Sequence, residues 1–409
     1  MDYVRAQVEA AGLKAEVEPV TDVPPWERGS SDQCELLLPD GSRDSLRIVA
    51  LTNSAGGDVE GEVVLVNDFD QDRKPPAHRF DEGGKKRIIY FSRPLERDHT
   101  VNGYFKAVSQ RNHGASWAAK YGAKAVLVRS VQTGNGPPHT GVVVYDPKSR
   151  KIPAAALSVE AADRLEAELL KHERISVHLK TNPRKTARLQ ANVVIRVPGT
   201  TLPGEIVLLG AHLDSHDITP GAADDAAGVA AVLAIMREFA KNPSARTMLF
   251  VLFADEEISG SGNRAFIEKH KKEVAHIIAA TEVDDGDGAP YALQATSAAS
   301  DKEAALLRLR QLAEAIGDEA ARLDVLTQPE TNGADVSRLW ECHGIPEIAM
   351  LQDMTTYFDK HHAENDTPNN VNWEGLGRTT SLLSKIMRVL TSGAAVPLRG
   401  VPAHPCTEE

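Results

Sequence analysis

Between residues 210 and 228 the chain reads GAHLDSHDITPGAADDAAG, so two histidines and four aspartates crowd in directly after the apolar run EIVLL. Three similar clusters follow apolar runs further on. Asp255, Glu256 and Glu257 follow TMLFVLFA, Asp284 and Asp285 follow HIIAATEV, and His361 and His362 stand a short loop after GIPEIAML. Carboxylates within a few ångströms of one another raise each other's pKa, and partial burial adds to the cost of ionising them. Either protons or a cation must relieve that repulsion. Imidazoles beside the carboxylates favour a cation, and the mixed donor set suits zinc or a related divalent metal. Each cluster alone has a plainer explanation. A strand-end Asp is usually a helix cap, DEE suits a helix start through the helix dipole, and an HH pair is ordinarily a surface feature. All four clusters together, each at the end of an apolar run, point to one site.

For the clusters to meet, the apolar runs must be strands of one sheet. ANVVIRVPG and EIVLLGA read as strands, and TMLFVLFA is apolar throughout, as expected of a strand covered on both faces. DAAGVAAVLAIMREFAKNP reads as a helix: Val229, Val232, Leu233, Met236 and Phe239 share one face, Asp225 is a candidate N-cap, and Asn242-Pro243 stops it. NRAFIEKHKKEVA and segments near 302–316 and 373–390 are further helices. Strands alternating with helices predict an α/β fold, a mostly parallel mixed sheet flanked by helices, with ligands at the carboxyl ends of the strands. Residues 37–183 have another texture. LRIVAL, GEVVLVND, KRIIYF, KAVLVRS, GVVVYD and ISVHLK read as short strands between turn-rich loops, interrupted by one helix, GASWAAKYGA. The expected division is therefore residues 1–36 with 184–392, an inserted β-rich module at 37–183, and a loosely ordered tail at 393–409.

Composition narrows the partners. The net charge of -12 disfavours polyanions, and no basic stripe with interleaved aromatics appears, so no nucleic acid is expected. No apolar run approaches the ~20 residues that cross a bilayer, so no membrane span is expected. The N-terminus lacks a basic segment followed by an apolar one. Cys34, Cys342 and Cys406 are far apart and odd in number, and are expected to be plain thiols.

In order along the chain, HLDS, GAADDAAG, DEE, EVDDG and HHAENDT resemble the motifs of the M28 family of zinc peptidases. EPVTDVPPWERG, GASWAAKYGAKAVLVRS, PHTG, KIPAAALSVEAA and YFDKHHAENDT are also similar to members of it, so the likeness covers nearly the whole chain. The resemblance implies an exopeptidase with two Zn2+ ions (or another divalent metal), acting on dipeptides or short peptides. It implies His212, Asp224, Glu257, Asp284 and His362 as metal ligands, with Asp224 bridging and His362 preferred to His361. It implies Glu256 as general base, Asp214 as a carboxylate orienting His212, and a cis peptide between Asp224 and Asp225. Two divalent cations would then offset three ligand carboxylates, which explains why the chain gathers them. Tyr357 matches a tyrosine of the relatives and is a candidate substrate contact. The insert resembles a protease-associated domain that walls the site. Two departures stand out: His216 replaces a usual tryptophan and is expected not to ligate, and Asp255 replaces a usual alanine. The resemblance also implies homodimerisation, a secreted or periplasmic location, and a chain trimmed within its first helix. Two other readings are a glutaminyl-cyclase-like acyltransferase with a single zinc and a non-catalytic binding module. Such relatives keep fewer ligands, and the complete set here argues against both.

Overall fold

Five strands carry the chemistry. Across the sheet they are Ala15–Val20, Gln190–Val197, Arg246–Phe253, Leu202–His212 and Ile277–Glu282. The computed structural model describes residues 1–67, 69–70, 87–284, 286–317 and 319–393. The loop DRKPPAHRFDEGGKK, Asp285 and the expected tail beyond residue 393 lie outside those residues. Leu202–His212 runs parallel to both its neighbours, whereas the two pairs on the Ala15–Val20 side are antiparallel. A bridge between Ala280 and Glu347 links this sheet to a ribbon of three strands, Asp324–Gln328, Pro290–Thr296 and Ile348–Gln352. The sheet is thus mixed and parallel at its centre, with helices on both faces.

Arg246–Phe253 shows why its sequence is apolar throughout. Side chains alternate across a strand, and here both faces are covered. Met248, Phe250 and Leu252 pack with Val232, Met236 and Phe239 of the helix Ala227–Lys241 and with Leu382 and Ile386 of the helix Trp373–Thr391. Leu249, Val251 and Phe253 pack with Phe266 and Leu339 on the other side. Each such side chain contributes about 1.5–3 kcal/mol when fully buried.

The turn from the strand Leu202–His212 into Ala227–Lys241 is fixed by Asp225. Its Oδ2 accepts the His212 N–H at 3.0 Å and its Oδ1 accepts the Gly228 N–H at 3.0 Å, the capping role expected of it. Gly228 must be glycine, because a Cβ there would lie 2.1 Å from Val283 O and 2.2 Å from Asp225 Oδ1.

A second sheet of eight strands runs in the order Arg43–Ser45, Gln33–Leu37, Ser176–Thr181, Gly57–Val66, Arg87–Phe91, Ala125–Arg129, Ala154–Leu157 and Ile48–Ala50. The chain enters it through Gln33–Leu37 and leaves through Ser176–Thr181, which are antiparallel neighbours. Just outside, Glu27 and Arg184 exchange main-chain hydrogen bonds of 2.9 and 2.8 Å. Three expectations are corrected here. GVVVYD makes only the single bridge Thr52–Val142 and is not a strand, while Ala154–Leu157 is. Of its valines Val143 is buried, whereas Val144 is exposed. The segment has two helices rather than one, Asn102–Lys120 and Val159–Lys171, the latter capped by Ser158 Oγ accepting the Ala161 N–H at 3.2 Å. The cysteines are also corrected: Cys34 is free and buried, but Cys342 is disulfide-bonded, and Cys406 lies outside the described residues. Among the described residues no helix is long and apolar enough to cross a membrane.

Candidate metal centre and active site

The sequence-predicted residues converge at the carboxyl ends of the central strands. His212 ends its strand, and Asp255, Glu256 and Glu257 follow Arg246–Phe253. Asp255 explains how two adjacent glutamates take different directions. Its φ is 60°, a left-handed conformation that Asp tolerates better than most residues, and the buried carboxylate accepts the hydroxyls of Ser261, at 2.6 Å, and Ser259. The Asp224–Asp225 peptide is cis, as the resemblance implied.

Asp224 stands at the centre. Its Oδ1 lies 3.1 Å from His212 Nε2, which is also 3.2 Å from Asp284 Oδ1. Its Oδ2 lies 3.4 Å from His362 Nε2, which is 2.9 Å from Glu257 Oε2. The two oxygens of one carboxylate therefore face two separate donor groups. His361 is less engaged, with Nε2 3.7 Å from Asp224 Oδ2 and its ring stacked on that of His362 at 3.5 Å. His362 has φ 64°, a strained conformation for a histidine, of order 1–3 kcal/mol. The loop holds it there through Thr140 N–H to His362 O, 3.0 Å, and through the buried ion pair of Lys360 Nζ with Asp287 Oδ2, 2.6 Å. Asp366 ties the same loop to Asp224: its carboxylate accepts the N–H groups of Ala223 and Asp224 at 2.9 and 3.1 Å.

The residues fit a divalent metal site. His212 Nδ1 faces the carbonyl oxygen of Asp214 at 2.9 Å, which can only accept, so the ring proton sits there. Nε2 then presents a lone pair to two carboxylate oxygens. Asp224 Oδ2 and Glu257 Oε1 are buried without hydrogen-bond partners. Burial opposes charge on His212, but Asp284, Asp224 and Asp225 outweigh it and hold its imidazole well above the usual range. The pocket thus draws positive charge. Burial pushes His362 down to about 3, so its ring is neutral, the form that ligates metal. The donor atoms of His212, Asp224 and Asp284 lie within 4.8 Å of one another, as do those of Asp224, His361 and His362.

Glu256 is half-buried and lines a cavity of about 270 Å³ with Asp224, Glu257, Asp284, Tyr357, His361 and His362. Burial pushes its carboxyl well above the usual range; His212 opposes this, and Asp284, Glu257 and Asp335 add to it. Asp214 does not orient the His212 ring in the way expected. Its carboxylate is 3.9 Å from His212 Nδ1, and the main-chain oxygen holds the ring instead. Tyr357 is buried beside His361, ring centroids 5.0 Å apart. One residue was missed. Arg111 reaches the cavity from Asn102–Lys120, 4% exposed, and donates to Thr140 O at 3.3 Å, Tyr104 Oη at 2.8 Å and Asn112 Oδ1 at 3.2 Å, with Nη1 also 3.4 Å from His362 Nδ1; none of these partners is a carboxylate. No sequence signal marks it. His216 was expected to stand apart, yet its Nε2 lies 2.9 Å from Glu257 Oε2.

Comparison with known proteins agrees with this geometry. The model of peptidase family M28 matches residues 192–387. Carboxypeptidase Q of Xenopus laevis is 32% identical over 86% of this chain and 71% of that protein. Its Homo sapiens counterpart is 30% identical over 87% and 72%. The crystal structure of a peptidase M28 precursor from Shewanella amazonensis is similar with a TM-score of 0.85 and 29% identity, over 98% of this chain and 89% of that one. A zinc aminopeptidase from Bacillus subtilis shares the fold, with a TM-score of 0.68 and 17% identity over 96% and 89%. Fold and site together define an enzyme of the metallopeptidase class. The chain belongs to peptidase family M28.

Proposed function

We propose that the protein is an exopeptidase for dipeptides or short peptides with two divalent metal ions, zinc for preference. The arrangement of Asp224 carries the reading: one oxygen faces His212, which also meets Asp284, and the other faces His362, which also meets Glu257. Each group would hold one ion, with Asp224 shared. The name of the Bacillus subtilis neighbour, a zinc aminopeptidase, supports zinc. When bound, the ions would polarise the scissile carbonyl and lower the pKa of water toward ~7.

The chain's own residues supply the rest. Glu256 takes the proton of the attacking water and passes it to the leaving amine nitrogen as the C–N bond breaks. Its neighbour Glu257 is turned toward the histidines, so one carboxylate is free for proton transfer while the other ligates. Tyr357 borders the cavity, where its hydroxyl would donate to the oxygen that gains charge. Arg111 offers a guanidinium without a carboxylate partner, a match for the free carboxylate of a short peptide. The cavity wall takes Tyr104, Phe105, Arg111 and Val142 from residues 37–183, which supports reading that segment as a protease-associated-like insert between 1–36 and 184–392.

Metal analysis of the purified chain with a panel of dipeptides, each blocked at its amino or carboxyl end, tests this. Two metals per chain and hydrolysis that depends on a free terminus are expected. One metal and no hydrolysis would favour the acyltransferase reading instead.

A further inference from the structure

We propose that His216 is a further metal ligand, completing the position formed by Glu257 and His362. The proposal rests on the reading that a cation lies between those two residues.

Geometry carries it. His216 Nε2 and His362 Nε2 are each 2.9 Å from the same oxygen, Glu257 Oε2, and the two rings meet edge to face with centroids 4.3 Å apart. The three donor atoms lie within 4.8 Å of one another, and all three residues are buried. His216 is 2% exposed, and its Nε2 has no hydrogen-bond partner. Glu257 Oε1 is likewise without one. The ring's other nitrogen is accounted for: Nδ1 lies 3.0 Å from Thr52 Oγ1. Thr140 Oγ1 donates to Ala50 O at 3.2 Å, so Thr52 Oγ1 can donate to Thr140 and accept the Nδ1 proton; the Nε2 lone pair then faces a carboxylate oxygen, an arrangement that a cation between them would satisfy. Thr52 lies 3.4 Å from Thr140, whose hydroxyl also receives Arg28 Nη2 at 3.2 Å, and Arg28 pairs with Asp217 at 2.9 Å. The ring is therefore held by a chain of polar contacts through Thr52, Thr140 and Arg28, as metal-ligating histidines usually are.

A neutral imidazole adds a bond without disturbing the balance between two cations and three carboxylates. The donor sets become unequal. His212, Asp284 and Asp224 face one position; His216, His362 and Glu257 face the second. The second position is the richer in nitrogen and retains its ion longer.

Stepwise dialysis of the zinc-loaded full chain against a chelator, read by metal analysis, tests this together with visible spectra of the cobalt(II)-loaded protein. The wild type should lose one metal well before the other. His216→Gln should weaken retention of the second metal by about tenfold or more and change the cobalt spectrum. His216→Cys should add an intense sulfur-to-cobalt charge-transfer band, which arises only from direct ligation and decides the question if His216→Gln does not fold. Unchanged retention and spectrum in His216→Gln, or no such band in His216→Cys, would overturn the proposal. His362→Gln separates the two readings. If it loses one metal while His216→Gln keeps both, only this inference fails. If it too keeps both, the reading that an ion lies between Glu257 and His362 fails with it; a wild type that binds one metal would overturn the two-metal reading itself.

Discussion

The carboxylate of Asp214 accepts the main-chain N–H of Glu256, Oδ1 to N 3.1 Å. The loop after one strand thereby fixes the loop after the next, and the same residue's carbonyl oxygen holds His212. Asp214→Ala should lower kcat on the order of 10–100-fold, the range for groups that support a metal ligand. Asp214→Asn keeps an acceptor oxygen and should stay within a few-fold of wild type. Steady-state kinetics with metal content measured alongside distinguishes the two.

Glu256→Gln preserves shape and removes the base. It should cost about 10²–10⁴ in kcat while both metals remain bound. A variant that kept wild-type kcat would remove Glu256 from the mechanism.

Arg111→Met keeps the apolar bulk of the side chain. KM for peptides with a free carboxylate should rise at least tenfold, and KM for the amidated peptides should hardly move. An equal rise for both would assign Arg111 to packing alone.

Lys360 and Asp287 form a buried ion pair beneath the histidine loop, and Lys360 Nζ also donates to Asn370 O at 2.6 Å. Lys360→Met strands the Asp287 carboxylate. Thermal or denaturant unfolding should show a loss of about 3–5 kcal/mol, and the metal at His362 should be retained less well.

Burial pushes the Glu347 carboxyl from 4.5 up to about 7, although the N–H groups of Asn332 and Gly333 pull it down. Between those values the folded state holds a proton that the unfolded state has released. The stability from this neutral carboxyl is complete below about 4.5 and is lost as pH rises through about 7. The effect is at most about 3 kcal/mol. Glu347→Gln should flatten the pH dependence of the unfolding midpoint between pH ~5 and ~7.5, and denaturant titrations at the two ends would show whether it does.

Much of the site was legible because burial on both faces leaves a plain mark. Arg246–Phe253 and Leu202–His212 are nearly unbroken apolar runs, and the chemistry begins where they stop. Ala154–Leu157 was harder, since alanines bury completely without looking strand-like. GVVVYD misled in the opposite direction, because β-branched residues mark a packed surface rather than a hydrogen-bonded ladder. Pro290–Thr296, in PYALQAT, carries no clean alternation and owes its state to neighbours distant in sequence. His216 stood out in sequence, but its contact with Thr52 did not, and Arg111 was out of reach altogether: its contacts are with Thr140 and Tyr104, and no spacing within one segment encodes a contact between segments that far apart. The disulfide at Cys342 likewise left no pattern in three scattered cysteines.

The neighbouring strands Gln33–Leu37 and Ser176–Thr181 are the two ends of one long excursion of the chain. To the peptidase sheet, an excursion that returns beside its starting point is topologically a short loop, whatever its length. Evolution can therefore graft, enlarge or delete it without rewiring the parent fold. The excursion and the peptidase sheet can diversify at separate rates.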